Sequence, residues 1–388
     1  MRAHRSSFRR LALLGATGSI GRQVCDVVER HPDRFALHAV VGGSDAAALD
    51  AVAGRHPEAH ALLAKPGDAQ RGDVAAAIDA IVRDPEVDLV VVAVSGGAAL
   101  APTLAALDAG KDLALATKEV LVMAGELVRE RMRASGSQIF PIDSEHSAIW
   151  QCLWGEQRGA VRRLILTGSG GPFLRRPRET LETVTIAEAL AHPRWKMGPK
   201  ITVDSATMMN KGLEIIEAHF LFDLPYRAID VVVHPESVVH SMVEFVDGSM
   251  KAQLAVPDMH LPIAIALSFP ERLDGISPAP DLAALGQLSF EALDSSRYPA
   301  VELARAAGER GGTSPTVLNA ANEEAVALFL AGQCRFVDIV PTVEQVLDMA
   351  PTNGAVTLES VMEADRWARA RVRTTVERRH GVRSKLPA

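Results

Sequence analysis

Asp143 and Glu145 stand two residues apart in the string Asp143-Ser144-Glu145-His146, directly after the apolar run Ile139-Phe140-Pro141-Ile142. That run reads as a β-strand ending in a loop. Side chains at i and i+2 share a face of extended chain, so both carboxylates can aim at one point. Hard oxygen ligands set this way suit Mg²⁺ or Mn²⁺ better than zinc. The same residues also fit a helix N-cap with a capping acid. Further along, Asp204-Ser205 precedes a helical stretch carrying Asn210, Lys211 and Glu214. At i, i+1 and i+4 these three lie on one helical face. There Asn210 and Lys211 can hold a phosphate while Glu214 reaches a metal. A surface Lys-Glu pair is the blander reading of that spacing.

A glycine turn, Gly15-Ala16-Thr17-Gly18-Ser19-Ile20-Gly21, follows the apolar run Leu11–Leu14 and opens a helical pattern at Arg22–Arg30. Its spacing is GxxGxxG, a variant of the dinucleotide fingerprint. Such glycines let backbone N–H groups approach a pyrophosphate at a helix N-terminus. The alternative is a plain strand-to-helix turn. The second strand ends at Val41-Gly42-Gly43-Ser44 with no acid at the strand end itself. An NAD site usually places Asp or Glu there, so the reading leans toward NADP. Asp45 follows, and it serves equally well as the cap of a helix over Ala46–Ala53. The string Thr167-Gly168-Ser169-Gly170-Gly171 offers amides and a hydroxyl to an anion, or it is a flexible turn. His192 to Gly198 carries Trp195 and Met197 between Pro193 and Gly198. It reads as a lid over a ligand, or as an ordinary surface loop. His240, on a hairpin strand, reads as a core histidine.

The elements that must position these residues follow from the apolar pattern. Runs at Leu11–Leu14, Phe35–Val41, Leu89–Val94, Leu113–Ala116 and Gln138–Ile142 alternate with Ala-rich helical stretches. This βαβα rhythm predicts a doubly wound parallel sheet. Leu164–Leu166 and Val231–Val233 read as buried strands, and Asp247-Gly248 as a hairpin turn between Val238–Val246 and Ser249–Val256. Met208 to Phe222 reads as an amphipathic helix. The fold class is α/β, with an N-terminal Rossmann-type sheet over 1–142 and an α/β catalytic domain over 143–268. A Pro/Gly/Ala-rich linker over 269–296 and a helical domain over 297–388 complete it.

At 388 residues the chain is too long for one small core. Its net charge of −7 argues against nucleic acid as the main partner. No apolar run approaches the roughly 18 residues of a membrane helix, and Leu11–Leu14 is too short for a signal-peptide core. Cys25, Cys152 and Cys334 form no metal spacing or disulfide framework, which fits a cytoplasmic protein.

Taken together, GATGSIG (15–21), ATKE (116–119), PIDSEHSAI (141–149), LTGSGGPF (166–173), HPRWKMGPKITVDSATMMNKGLEIIEAH (192–219) and HPESVVHSMVEFVDGS (234–249) resemble one family. That family is 1-deoxy-D-xylulose-5-phosphate reductoisomerase, of the non-mevalonate isoprenoid pathway. The resemblance implies Asp143, Glu145 and Glu214 as ligands of Mg²⁺, Mn²⁺ or Co²⁺. It implies substrate contacts at Lys118, Ser144, Glu145, Ser169, His192, Ser205, Asn210, Lys211 and Glu214. Of these, Ser169, Ser205, Asn210 and Lys211 take the phosphate end. NADPH contacts are implied at Thr17, Gly18, Ser19, Ile20, Gly42, Gly43, Ser44, Thr117, Glu119 and Gly198. Trp195 and Met197 fall on the family's lid, and the assembly implied is a homodimer. Two departures stand out. Family members often carry Lys-Asn where this chain has Gly43-Ser44, which weakens contact with a 2′-phosphate. Thr117 replaces a common Asn and keeps one donor.

The chemistry implied has two stages. Carbon–carbon rearrangement at a metal-polarised ketose gives a branched aldehyde phosphate, which NADPH then reduces to 2-C-methyl-D-erythritol 4-phosphate. A rival enzyme, a metal-independent semialdehyde dehydrogenase, would need Cys152 as its nucleophile. A non-catalytic NADP sensor would have no use for three convergent carboxylates.

Overall fold

The computed structural model describes residues 8–65, 72–351 and 355–383; most of the basic start, 1–7, lies outside them. The chain divides into two compact units. The first comprises Met1–Val120, Val128–Gln151 and Asp258–Ala279. Its strands are β1 (Arg9–Leu14), β2 (Phe35–Gly42), β3 (His60–Leu63), β4 (Leu89–Val92), β5 (Asp112–Leu115) and β6 (Ile139–Pro141). They form one six-stranded sheet in the order β3-β2-β1-β4-β5-β6. Every pairing is parallel, as the alternating pattern predicts. The strand order reverses between β1 and β4, where open α/β sheets bind ligands at their carboxyl ends. β1 and β4 are buried through Leu11–Leu14 and Leu89–Val92, which explains their unbroken apolar runs. The segment Asp258–Ala279 returns to this core through Ile263, Leu267 and Ile276. Phe269 completes an aromatic cluster with Phe140 and Trp150.

Two features of this unit depart from expectation. β3 was not anticipated, because it lies at the sheet edge and is nowhere fully buried, so it lacks a strong apolar signal. The loop expected at Asp143 is short: a helix starts at Ser144 and runs to Cys152, with Glu145 in its first turn. A helical turn, not a shared strand face, therefore presents Glu145.

The second unit comprises Leu121–Leu127, Cys152–Pro257 and Pro280–Ala388. Its five-stranded sheet has the order β10-β9-β7-β8-β11, from β7 (Val161–Gly168), β8 (Ile229–Val233), β9 (Val239–Phe245), β10 (Met250–Leu254) and β11 (Glu291–Ala292). The expected hairpin joins β9 to β10 with Gly248 at φ +88°. The helix Met209–Phe222 is buried on all sides from Lys211 to Ala218, so it is not amphipathic. Gly212 lets the helix Pro299–Arg310 come close, since a Cβ there would lie 2.6 Å from the Ala304 Cβ. The C-terminal part is helical as expected: Pro299–Arg310, Ser314–Leu330, Ile339–Asp348 and Leu358–Arg383. Among the described residues no helix is long and apolar enough to cross a membrane.

Candidate active site

The glycine turn is built by backbone crowding. Gly15 has φ +94°, and a Cβ there would lie 2.4 Å from the Ala93 carbonyl oxygen. A Cβ on Gly21 would lie 2.1 Å from the Gly15 carbonyl oxygen. The helix Ser19–Arg30 thus starts tight against the ends of β1 and β4. Gly18 is its N-cap and offers no side chain. The Gly18 N–H donates to the Gly15 carbonyl at 3.1 Å, and the first-turn N–H groups at Ser19 and Ile20 stand at the positive end of the helix dipole, a fit for a pyrophosphate. Gly42 ends β2 beside Thr17, where a Cβ would meet the Thr17 Cγ2 at 3.1 Å. Gly43 has open space around it, and Ser44 is exposed. Asp45 is a cap: its Oδ1 accepts the Ala48 N–H at 2.9 Å. Thr117 turns its hydroxyl inward and donates to the Val94 carbonyl at 2.6 Å.

The next pair arises from neighbouring parallel strands. β5 and β6 run side by side, and Ile142 donates its N–H to the Leu115 carbonyl at 2.9 Å. Lys118 follows β5 and Asp143 follows β6. Their side chains form an ion pair, Nζ to Oδ2 at 2.5 Å, with Lys118 only 5% exposed. Glu119 opens the helix Glu119–Ser135 one residue on. Ser144 donates to Glu145 Oε2 at 2.5 Å.

In the second unit, β7 ends in the Ser169 loop. Gly171 has φ +68°, and a Cβ there would lie 2.6 Å from the Ser205 carbonyl oxygen, so the loop packs onto the helix Pro199–Thr207. His192 Nε2 lies 3.1 Å from Ser169 Oγ and 3.1 Å from Ser205 Oγ. His192 Nδ1 accepts the N–H groups of Trp195 at 2.9 Å and Arg194 at 3.2 Å. A nitrogen that accepts carries no proton, so the neutral ring is protonated at Nε2. Burial pushes the His192 pKa down to about 4, in keeping with that neutral form. Its Nε2–H is thus a donor shared between the two serines. Glu214 is fully buried; Asn210 Nδ2 donates to its Oε1 at 2.5 Å, and Lys211 Nζ pairs with its Oε2. Lys211 runs beneath the Ser169 loop, where a Cβ on Gly168 would meet its Cε at 3.2 Å. The pocket therefore gathers hydroxyl, imidazole, amide and ammonium donors, groups of the kind that can hold an anion. The segment 192–198 has no regular secondary structure, and Trp195 lies against His240 with ring centres 6.0 Å apart. Gly198 caps the helix Pro199–Thr207 in this second unit, apart in the chain from the other cofactor candidates.

Three family profiles match in chain order. Residues 11–125 match 1-deoxy-D-xylulose 5-phosphate reductoisomerase, 139–222 its C-terminal domain and 254–371 the DXP reductoisomerase C-terminal domain. The reductoisomerase of Thermomicrobium roseum is 50% identical over 377 residues, covering 95% of this chain and 98% of its own. This chain belongs to the 1-deoxy-D-xylulose 5-phosphate reductoisomerase family. The reductoisomerase of Gloeobacter violaceus is 48% identical, covering 95% of this chain and 98% of its own. Among solved structures, the Zymomonas mobilis reductoisomerase in complex with NADPH superposes with a TM-score of 0.87 at 41% identity, covering 95% of this chain and 99% of that one. A DOX-P reductoisomerase in complex with NADPH, fosmidomycin and magnesium gives a TM-score of 0.87 at 38% identity, covering 95% and 98%.

Within this reductoisomerase fold, two groups escaped the sequence reading. His146 is fully buried with Nδ1 3.9 Å from Asp143 Oδ2. Its offset of three from Asp143 was the available signal, given a helix there. Asn322, in the C-terminal helices, reaches Asp204 and had no local signal at all. Cys152, the nucleophile a semialdehyde dehydrogenase would need, is buried and its thiol is pushed up to about 11 by desolvation. It is no thiolate at neutral pH, so that rival loses its chemistry.

Proposed function

We infer that this chain converts 1-deoxy-D-xylulose 5-phosphate to 2-C-methyl-D-erythritol 4-phosphate, with NADPH as reductant and a divalent cation, in the non-mevalonate isoprenoid pathway. Whole-length identity to the reductoisomerases carries this reading. The glycine cradle at Gly15–Gly21, which a Cβ would fill, suits NADPH. Asp143, Glu145 and Glu214 are carboxylates throughout, the donor set of Mg²⁺, with Mn²⁺ or Co²⁺ as substitutes. We assign them as the metal ligands. When bound, the cation supplies Lewis acidity at the ketose oxygens and NADPH supplies the hydride.

The chain's own residues then have distinct tasks. Ser169, Ser205, Asn210 and Lys211 bind the phosphate, and neutral His192 adds a donor through Nε2–H. These contacts lie far from the bonds that change, so their binding energy serves orientation. Lys118, held by Asp143, offers a cation to negative charge that develops at the substrate oxygens. Ser144 orients beside Glu145. Thr17, Gly18, Ser19, Ile20, Gly42, Gly43, Ser44, Thr117, Glu119 and Gly198 form the cofactor side. Trp195 and Met197 close over the substrate and exclude water.

In functional terms, 1–142 binds the cofactor, 143–268 the metal and substrate, and 297–388 is the helical domain, while 269–296 connects them with Phe269 and Ile276 packed into the first unit's core and β11 added to the second unit's sheet. The active form is a homodimer; β10 stands at its sheet edge with Met250 49% exposed, and Val246, in the turn before it, is 56% exposed, a surface for a second copy. Cys25, Cys152 and Cys334 are all free and buried, which supports a reducing compartment such as the cytoplasm. The test is NADPH oxidation by the purified chain with 1-deoxy-D-xylulose 5-phosphate, with and without chelator. A substrate-dependent rate that the chelator removes and Mg²⁺ restores is expected. Oxidation indifferent to either one overturns the reading.

A further inference from the structure

We propose that Asn322 is a positioning residue for the phosphate pocket: it holds the buried carboxylate of Asp204, and through it Ser205, so that the C-terminal helices set substrate affinity. The proposal rests on the phosphate reading above. Asp204 lies in the helix Pro199–Thr207 immediately before Ser205 and is only 1% exposed. Its Oδ1 accepts from Asn322 Nδ2 at 2.7 Å, and its Oδ2 pairs with Lys200 Nζ at 2.9 Å, one turn upstream. A carboxylate only accepts, so the amide of Asn322 must turn its NH₂ toward it. Asn322 is itself fully buried within the helix Ser314–Leu330, among apolar neighbours such as Val326 and Leu318 on the same helix.

Buried carboxylates and amides are costly unless each finds a partner. Here the partner comes from 118 positions away in the chain. The short helix that carries Asp204 begins at Gly198, where the lid segment ends, and it stops at Met208, whose φ of +62° turns the chain into the helix of Asn210, Lys211 and Glu214. Ser205 meets the Nε2–H of His192 from this same helix. Sliding or rotating it by a fraction of a turn would take the Ser205 hydroxyl away from His192 and Ser169. Asn322 pins it at the residue next to Ser205.

The experiment compares Asn322→Ala, Ser205→Ala and the exchange pair Asp204→Asn with Asn322→Asp, each as the full chain with NADPH and Mg²⁺. The exchange keeps one carboxylate and one amide facing each other with roles reversed. Asn322→Ala should raise KM for 1-deoxy-D-xylulose 5-phosphate about tenfold while kcat stays within about twofold and NADPH affinity is unchanged. The exchange pair should bring KM back to within about threefold of the parent. Ser205→Ala tests the underlying reading separately: a parental KM there removes the phosphate pocket itself. With Ser205→Ala impaired, a parental KM in Asn322→Ala overturns the proposal. So does a loss shared equally among KM, kcat and NADPH affinity. If Asn322→Ala does not fold, the exchange pair decides, and a KM as poor as that of Ser205→Ala overturns the proposal.

Discussion

The glycine turn of the first unit and the proposed phosphate pocket of the second are built by opposite means. The turn has almost no side chains: Gly15, Gly18 and Gly21 let backbone meet backbone, with 2.1 Å between an imagined Gly21 Cβ and the Gly15 oxygen. The pocket is all side chains, and its central charges, Glu214 and Lys211, are 0% and 3% exposed. A backbone site demands space and little chemistry. A buried charged site demands chemistry, because each ion is tolerable only while its partners stay in place. Damage to the turn should therefore appear as lost cofactor affinity, and damage to the pocket as lost kcat/KM for the substrate with the cofactor still bound.

The sharpest break is at Glu214. Glu214→Gln keeps the shape and removes the charge a hard cation needs. Turnover should vanish while NADPH binding, followed by fluorescence titration, stays near that of the parent. A parental rate at limiting metal would remove Glu214 from the ligand set. The mirror experiment is Gly21→Ala. The added methyl forces the helix Ser19–Arg30 away from the Gly15 turn, an overpacking cost of about 2 kcal/mol, or roughly thirtyfold in NADPH affinity. The affinity of the metal-loaded protein for a phosphonate analogue should be spared. Equal loss of both ligands would mean that the two sites do not differ as argued.

The contrast also explains what the sequence revealed. The turn was legible because glycine spacing after a strand records backbone geometry directly; β1 and β4 were legible because burial on both faces leaves unbroken apolar runs, and β2, β5 and β6 because most of their residues are apolar and buried. β3 left no such run, since His60 and Ala61 are exposed. The pocket was half legible: the spacing of Asn210, Lys211 and Glu214 fitted a phosphate and a metal as well as a surface pair, the resemblance favoured the first, and burial along Lys211–Ala218 cannot be told from spacing alone. At Ser144–Cys152 the sequence left two readings open, because Asp143-Ser144 suits both a loop and a helix start; the helix start is the one found. The pairing of Asn322 with Asp204 was beyond reach, because nothing local in either segment records a partner so distant in the chain.

A smaller effect is expected at the lid. Trp195 is tied to the pocket by its own N–H, which donates to His192 Nδ1, and its ring lies by His240. Trp195→Ala should lower kcat/KM for the ketose phosphate about tenfold through poorer closure, and leave NADPH binding to the free enzyme unaltered. Hydrogen exchange over 192–198 should slow when a phosphonate analogue is bound. Equal protection with and without it, joined to an unchanged kcat/KM, would make the segment a connector and would detach the pocket from any moving part.

The smallest effect tests the cofactor side from the direction of chemistry rather than space. Gly43 follows β2, where the 2′-phosphate of NADPH is expected, and nothing lies within 4 Å of a Cβ placed there. The acid that follows, Asp45, is engaged as the cap of the helix Ala46–Arg55. A lysine at this position therefore meets neither a steric obstacle nor a competing role. Gly43→Lys should improve NADPH affinity by about 1 kcal/mol, roughly fivefold, because the contact is partly exposed. NADH lacks the 2′-phosphate and should gain little. Added salt should shrink the difference, as screening does for exposed charges. If the two cofactors gain equally, the cation is not reaching the 2′-phosphate, and the end of β2 does not mark the ribose. If NADPH alone gains, then even this backbone-built site can be tuned by one charge at its rim, and its difference from the phosphate pocket is one of burial rather than of kind.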